Sequence, residues 1–446
     1  MTYMFFSCKY DSVMNPLAEE LNKTLDGTIA GRLLSNLGKR FYFPKGIIAQ
    51  SAEAKKSASM ANGTIGMAYS KGKPLILSAI ADNMTSLTPE EAVAYAPTAG
   101  IEKVRIIWKD SIIQKNPSLD PAHISLPVVT PGLTAGLSCT ADMFIGKGAG
   151  IIASDPCWDN YSLIFEVRRG AQLISVPFFG TGQGLEMDAI SAAIRHQAAS
   201  GTVRIIFNFP NNPAGYSPTV DEVETLVSLI RETAEGGADV LIICDDAYFG
   251  LFYEDNIAKE SLFSRFAHLH ERVLAIKVGG PVKEDYVWGL RIGFLTFGSK
   301  GLNQTHYEAL VKKLMGAIRS SVSCTNTSAQ HLMLKAMEDP RTLGEKEQYR
   351  AMLQSRYNAV KNFINTHPDH PVLRPMPFNS GYFMSFHCSI DAETLRQELL
   401  IKHGIGIISL GEHCIRIAFS SIDEENIIPV YQKIYETAAK LGEADF

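Results

Sequence analysis

The segment FNFPNNPAGY, residues 207–216, closes an apolar run, VRIIFNF (203–209), with an Asn-Pro turn. Alone it is a strand followed by a turn. Its weight comes from ICDDAYFG at 243–250 and PVKEDYVWGLRIGF at 281–294. Further apolar runs are GIIAS (150–154), AQLISVPFF (171–179), VLIICDD (240–246), VLAIKV (273–278) and RIGFLTF (291–297). They are continuous rather than alternating, the pattern of strands covered on both faces. Helices fit between them. The clearest begins after Thr219, where Thr219 and Glu222 form a capping box. Val223, Leu226, Val227 and Ile230 then recur at helical spacing, and Gly236-Gly237 ends the run. Strand–helix–strand units of this length imply an α/β fold with a mostly parallel sheet. Ligands of such sheets sit beyond the carboxyl ends of the strands. Asn212, Asp245, Tyr248 and Lys283 all fall there.

Outward from this centre the pattern changes. The first 60 residues read as mainly helical. The stretch NGTIGMAYSKGKPLIL (62–77) reads as turn, short strand, turn. Alternation of helices and strands starts near residue 86. After a long helical stretch, about 328–366, come SGYFMSF (380–386), a helix (391–403), IGIISL (405–410), CIRIAFS (414–420) and a closing helix. That is a small α+β lobe joined by the N-terminal segment. The expected division is residues 1–85 as an N-terminal segment contributing to the small domain, 86–325 as the large cofactor-binding domain and 326–446 as the small C-terminal domain.

The bulk numbers exclude several classes. With 446 residues, 46% apolar and 20% charged, the chain has ordinary globular composition. A net charge of −5 with scattered Lys and Arg gives no footprint for nucleic acid. No run approaches the ~20 apolar residues that span a bilayer, so no membrane partner is expected. The opening MTYMFFSCKYD does not read as a secretory leader. Seven cysteines without a Cys-x-x-Cys pair argue against a disulfide frame or a structural zinc site. No metal is expected, and free thiols fit a cytoplasmic protein.

A lysine after a strand, a carboxylate at a strand end, hydrogen-bond donors and an arginine beyond the lysine are what a phosphorylated pyridine aldehyde requires. On these motifs the chain resembles the fold-type I, pyridoxal-phosphate-dependent aminotransferases of class I/II. It is most similar to their aspartate and aromatic group, from about residue 62 to the C-terminus. The resemblance implies a large domain with a mostly parallel seven-stranded sheet flanked by helices, plus a small α+β domain. It implies pyridoxal 5′-phosphate held as a Schiff base on Lys283, with Lys277 as the rival lysine. Asp245 would pair with the ring nitrogen, Asp246 being the alternative. Asn212 and Tyr248 would serve the ring oxygen, and Trp158, in PCWDNYSLIF (156–165), would stack on the ring. Leu133 and Thr134, in VTPGLTAGL (129–137), would meet the phosphate together with Arg291. Tyr95 would reach the phosphate of a neighbouring subunit. Glycine stands at 132 and 280, where the aspartate group usually has serine. Arg416 aligns with the arginine that grips a substrate α-carboxylate, Asn212 beside it, and Ile65-Gly66 with a segment that closes over substrate. Arg319 aligns roughly with a partner-subunit arginine that reads a second carboxylate.

The expected function is amino transfer from an L-amino acid to a 2-oxoacid, with Lys283, Asp245 and Tyr248 as the catalytic group. The expected assembly is a homodimer with shared active sites. Lyase, decarboxylase or synthase chemistry on the same fold is the alternative. A catalytically silent cofactor-binding regulator would be expected to carry an added basic DNA-binding domain. The donor and the acceptor are not legible, because pocket shape sets them.

Overall fold

The computed structural model describes residues 14–26, 28, 34–42, 46–180 and 184–444. The opening MTYMFFSCKYD, Cys8 included, lies outside these residues. Helices Pro16–Leu25, Asn36–Arg40 and Ile47–Ser57 lead into β1 (Ala61–Asn62). The stretch read as a single short strand is a hairpin of β2 (Tyr69–Ser70) and β3 (Lys73–Pro74). Lys71 and Gly72, both at positive φ (50° and 71°), make its two-residue turn.

The central sheet has seven strands: β4 (Val128–Thr130), β5 (Gly150–Asp155), β6 (Gln172–Pro177), β7 (Thr202–Asn208), β8 (Asp239–Asp246), β9 (Val273–Gly279) and β10 (Gly293–Gly298). Their order is β4-β10-β9-β8-β7-β5-β6. All are parallel except β10, which runs antiparallel to β4 and β9. Every residue of β8 after Asp239 is buried, as a strand covered on both faces must be. Side chains alternate between two cores. Val240, Ile242 and Cys244 of β8 belong to one, with Val223 and Ile230 of helix Val220–Glu235. Leu241 and Ile243 belong to the other, with Leu137 of helix Leu133–Phe144 and Leu314 of helix Gln304–Ser321. The alternation therefore sends Asp245 and Asp246 to opposite faces. Helix Val220–Glu235 starts in the expected capping box: Thr219 N donates to Glu222 Oε2 at 2.7 Å, and Glu222 N donates to Thr219 Oγ1 at 3.2 Å.

The long helical stretch near 328–366 is two helices, Thr327–Glu338 and Arg341–Thr366. Pro340 stands at the break, where it cannot continue the hydrogen-bond ladder. The remaining strands are β11 (Leu373–Pro375), β12 (Phe383–Cys388), β13 (Ile405–Gly406), β14 (Ile408–Leu410) and β15 (Cys414–Ala418). IGIISL is thus two strands. β13 pairs in parallel with β1, while β14 joins the antiparallel sheet β11-β12-β15-β14. Helix Ile47–Ser57 is tied to β14 through Gln50, which exchanges hydrogen bonds with the Ser409 backbone at 2.9 and 3.1 Å. The turn after β7 is stitched to β12 and the loop before it. Gly215 O accepts from Asn379 N and Ser380 N, both at 2.9 Å, and Ser385 Oγ donates to Pro213 O at 2.8 Å. Gly215 has φ +77°, and a Cβ there would lie 2.0 Å from Phe383 O, so only glycine fits the crossing.

Candidate active site

Asp245 ends β8 on the face of helix Leu133–Phe144 and is 3% exposed. Its Oδ2 accepts a hydrogen bond from Tyr161 Oη at 2.6 Å. Its Oδ1 is buried and accepts none. Burial raises its pKa above the usual carboxylate range, against the lowering effects of the Tyr161 bond and the Lys283 charge. Lys283 sits on the short helix Pro281–Glu284, just after β9. Its Nζ lies 4.8 Å from the centroid of the Tyr248 ring. Burial lowers its pKa and Arg291 adds to the fall, while Asp245 opposes it. The backbone here is anchored on both sides. Tyr382 Oη donates to Lys283 O at 2.8 Å. Glu284 Oε1 accepts from Lys115 at 2.6 Å and from Lys346 at 3.3 Å, and Lys346 also pairs with Asp285 at 2.6 Å.

The two alternatives left open by the sequence, Lys277 and Asp246, form a buried ion pair with each other on the opposite face of the sheet. Ser261 Oγ donates to Asp246 Oδ2 at 2.6 Å, and Lys277 Nζ lies 4.5 Å from the Phe249 ring centroid. Neither group is turned toward Asp245.

Arg416, on β15, brings the small sheet to the same place. It is 2% exposed. Its Nη1 donates to Asn212 Oδ1 and its Nη2 to Thr64 O, both at 2.9 Å, and its guanidinium carbon stands 4.3 Å from the Phe383 ring centroid. With Oδ1 taken by Arg416, Nδ2 is the donor end of the Asn212 amide. Next to Ile65, Gly66 faces Tyr248 and Phe383: a Cβ at 66 would lie 3.1 Å from Tyr248 Oη and 3.0 Å from Phe383 Cζ. Trp158 meets Tyr161 edge to face, ring centroids 5.6 Å apart.

At the other end, Gly132 (φ +84°) precedes helix Leu133–Phe144, so the backbone N–H groups of Leu133 and Thr134 are free of intrahelical partners. Arg291 has a left-handed backbone, φ 53° and ψ 53°, and a Cβ at Gly132 would lie 2.7 Å from its Nη2. A serine at 132 would therefore be strained twice, in backbone and in space. Gly280 differs. Its φ of 170° is ordinary extended backbone, but a Cβ would meet Leu133 Cδ1 at 3.0 Å and Gly293 Cα at 3.1 Å.

Lys283, Asp245, Tyr248, Asn212, Arg416, Gly66 and Trp158 thus converge, and Leu133, Thr134 and Arg291 adjoin them. Two expected residues stand apart. Tyr95 is 90% exposed. Arg319 lies at the exposed end of helix Gln304–Ser321 and donates to Ser323 Oγ at 2.6 Å. Tyr161 was not anticipated. Its signal was its place three residues after Trp158, one helical turn on, which puts both rings on one side of the chain. Among the described residues no group of three or more His, Cys, Asp or Glu side chains is placed to hold a metal, and no helix is long and apolar enough to cross a membrane.

Comparison with known proteins identifies the family. Residues 65–434 match the family described as aminotransferase class I and II. The chain is 22% identical over 273 residues to a probable N-acetyl-LL-diaminopimelate aminotransferase of Bacillus subtilis, covering 61% of this chain and 63% of the relative. It is 22% identical over 353 residues to an aspartate aminotransferase of Sulfurisphaera tokodaii, covering 76% and 80%. Among solved structures, an aminotransferase from Anaerococcus prevotii superposes with a TM-score of 0.80 at 23% identity, covering 91% of this chain and 99% of the other. A Pyrococcus horikoshii kynurenine aminotransferase, solved in complex with PMP, superposes at 0.76 and 17% identity, covering 92% and 98%. The fold is that of the type I pyridoxal-phosphate enzymes, and the chain belongs to the class I and II aminotransferases, whose cofactor is pyridoxal phosphate.

Proposed function

We propose that the converging residues hold pyridoxal phosphate and carry amino transfer between an L-amino acid and a 2-oxoacid. The observation that carries the reading is Asp245 Oδ1: a buried carboxylate oxygen with no donor, at the carboxyl end of β8. Such an atom is costly unless a ligand supplies the missing hydrogen bond, and a protonated pyridine nitrogen does so. The phosphate end fits as well. Helix-start amides at Leu133 and Thr134 beside the Arg291 guanidinium suit a dianion. When bound, the cofactor supplies an aldehyde that takes up the amino group and a ring that withdraws electrons from the substrate Cα.

The protein's part then divides as follows. Lys283 attaches the cofactor. Burial lowers the pKa of its amine, so a larger neutral fraction would be present to take the proton from the substrate Cα and carry it. Asp245, as the anion, keeps the pyridine nitrogen protonated. Tyr248 Oη and Asn212 Nδ2 would hold the ring oxygen, and Trp158 would cover a ring face. Arg416, oriented by Asn212 and Thr64, grips the substrate α-carboxylate, while Ile65 and Gly66 close over it. We assign residues 86–325 to the large domain, and 326–446 with the segment 1–85 to the small one. The pairing of β1 with β13 supports that grouping. We also propose a cytoplasmic homodimer. Exposed Tyr95 would reach the partner's phosphate, and exposed Arg319 a second carboxylate of a substrate in the partner's site. The exposure of both side chains supports that reading.

One experiment tests the whole reading. The chain loaded with pyridoxal phosphate is mixed with single amino acids and no acceptor. One equivalent of 2-oxoacid per site is expected, with the aldehyde absorbance replaced by that of the pyridoxamine form. Release of ammonia or carbon dioxide with the aldehyde regained would overturn it.

A further inference from the structure

Two lysines and two buried carboxylates lie along β8, β9 and the short helix that follows, and the proposed function uses only one of each. Lys277 and Asp246 are 4% and 5% exposed. A strand interior is a costly place for charge, and a buried pair contributes little net stability over apolar residues of the same volume. What the pair does for its neighbours is therefore of interest. Asp246 is bonded through the backbone to Asp245, and the field of an unbalanced carboxylate there would disfavour a second anion beside it. Lys277 is placed to cancel that field. In the parallel register Lys277 lies opposite Cys244 and Asp246 opposite Gly279, all on one face. Gly279 adjoins the pair: a Cβ there would make ordinary contacts of 3.6 Å with Lys277 Cε and 3.7 Å with Asp246 Cβ.

We propose that Lys277 is a positioning residue, whose buried ion pair with Asp246 keeps Asp245 anionic for the pyridine nitrogen of the cofactor. The proposal rests on Asp245 as the nitrogen's partner. Of the groups around the two carboxylates, Tyr161 and Lys283 face Asp245 from the segment after β5 and from the end of β9, with Tyr248 after β8. Cys244 and Lys277 share the face of Asp246, with Lys115 and Glu284 across one small cavity and Glu260 across another. Lys115 and Glu284 neutralise each other, so Lys277 is the cation left for Asp246. The pKa of Asp245 is raised by burial first, with the Asp246 charge among the smaller raising contributions.

The test is binding of pyridoxamine phosphate, which has the same ring and phosphate but no aldehyde for an amine to capture. Its dissociation constant is measured from about pH 5 to 9 by fluorescence titration of the full-length chain. Protonation of Asp245 weakens binding, so affinity falls as pH drops through a midpoint. Lys277→Met leaves Asp246 unbalanced, and the midpoint is expected to rise by about one unit or more. Asp246→Asn leaves the cation alone, and the midpoint is expected to fall. Lys277→Met with Asp246→Asn restores it to within a few tenths of a unit. The opposite signs separate charge from packing damage, which would move both single variants the same way. If Lys277→Met does not fold, Asp246→Asn and the double variant still decide. A midpoint unchanged or raised in Asp246→Asn, or an uncorrected shift in the double variant, overturns the proposal. Asp245→Asn is the control for the reading beneath it: full affinity with an unchanged pH profile would sink the Asp245 assignment itself and this proposal with it.

Discussion

Asp245 and Asp246 are neighbours in the chain, equally buried and on opposite faces of one strand. Asp246 is matched by a cation, Lys277, with Ser261 donating to the same oxygen, Oδ2. Asp245 has one oxygen held by Tyr161 and the other bare. The same contrast separates the two lysines. Lys277 is consumed by its ion pair, while Lys283 faces an aromatic ring and keeps a lowered pKa. A buried charge matched by an opposite charge holds structure together. One answered by half is held ready for a ligand. For the two carboxylates the difference lies in bonding, since both are buried.

The sharpest way to break this comparison is to remove each lysine in turn. Lys283→Ala should lower turnover by roughly 10³-fold or more, since it removes the proton carrier, while leaving the thermal midpoint nearly unchanged. Single-turnover kinetics and calorimetry read the two quantities. Lys277→Ala should act first on stability, costing about 3–5 kcal/mol because it strands a buried carboxylate, with cofactor affinity lost only toward acidic pH. Denaturant titration measures it. Equal behaviour of the two variants would erase the distinction. A smaller effect sharpens it from the carboxylate side. Tyr161→Phe removes the side-chain hydrogen bond to the Asp245 carboxylate, a loss of about 1.5–3 kcal/mol for a hydrogen bond to a charged group. That bond lowers the Asp245 pKa, so without it the midpoint for cofactor binding should move to higher pH, with affinity lost first on the acidic side. The smallest effect is the remote control. Thr219→Ala breaks the capping box of helix Val220–Glu235 and should cost about 1 kcal/mol with cofactor affinity unchanged.

Much of the fold was legible because its cause is local. The capping box at Thr219 and the apolar runs of β7, β8 and β9 need no distant partner to be read. What escaped depends on partners. β4 is three residues long and looks like part of a glycine-rich turn. IGIISL reads as one strand, but its halves pair with different neighbours. Pro340 was a visible break in the long helical stretch and was passed over. In the site, the lysine and the carboxylate at the strand ends were placed by pattern. The choice between Asp245 and Asp246 turns on which face Lys277 shares. Parallel register settles that, and no turn between the strands encodes it. Tyr161 was missed because its role lies in a single hydrogen bond across 84 positions of sequence.

The clamping of residues 283–285 has a mechanical corollary. With the Lys283 carbonyl tied to Tyr382 and the next two side chains gripped by Lys115 and Lys346, the main chain is a fixed post. All travel of the amine between the two tasks proposed for it would come from rotation about its own methylene bonds. The length of that tether sets its reach, and a stem one carbon shorter would find no slack in the post to borrow.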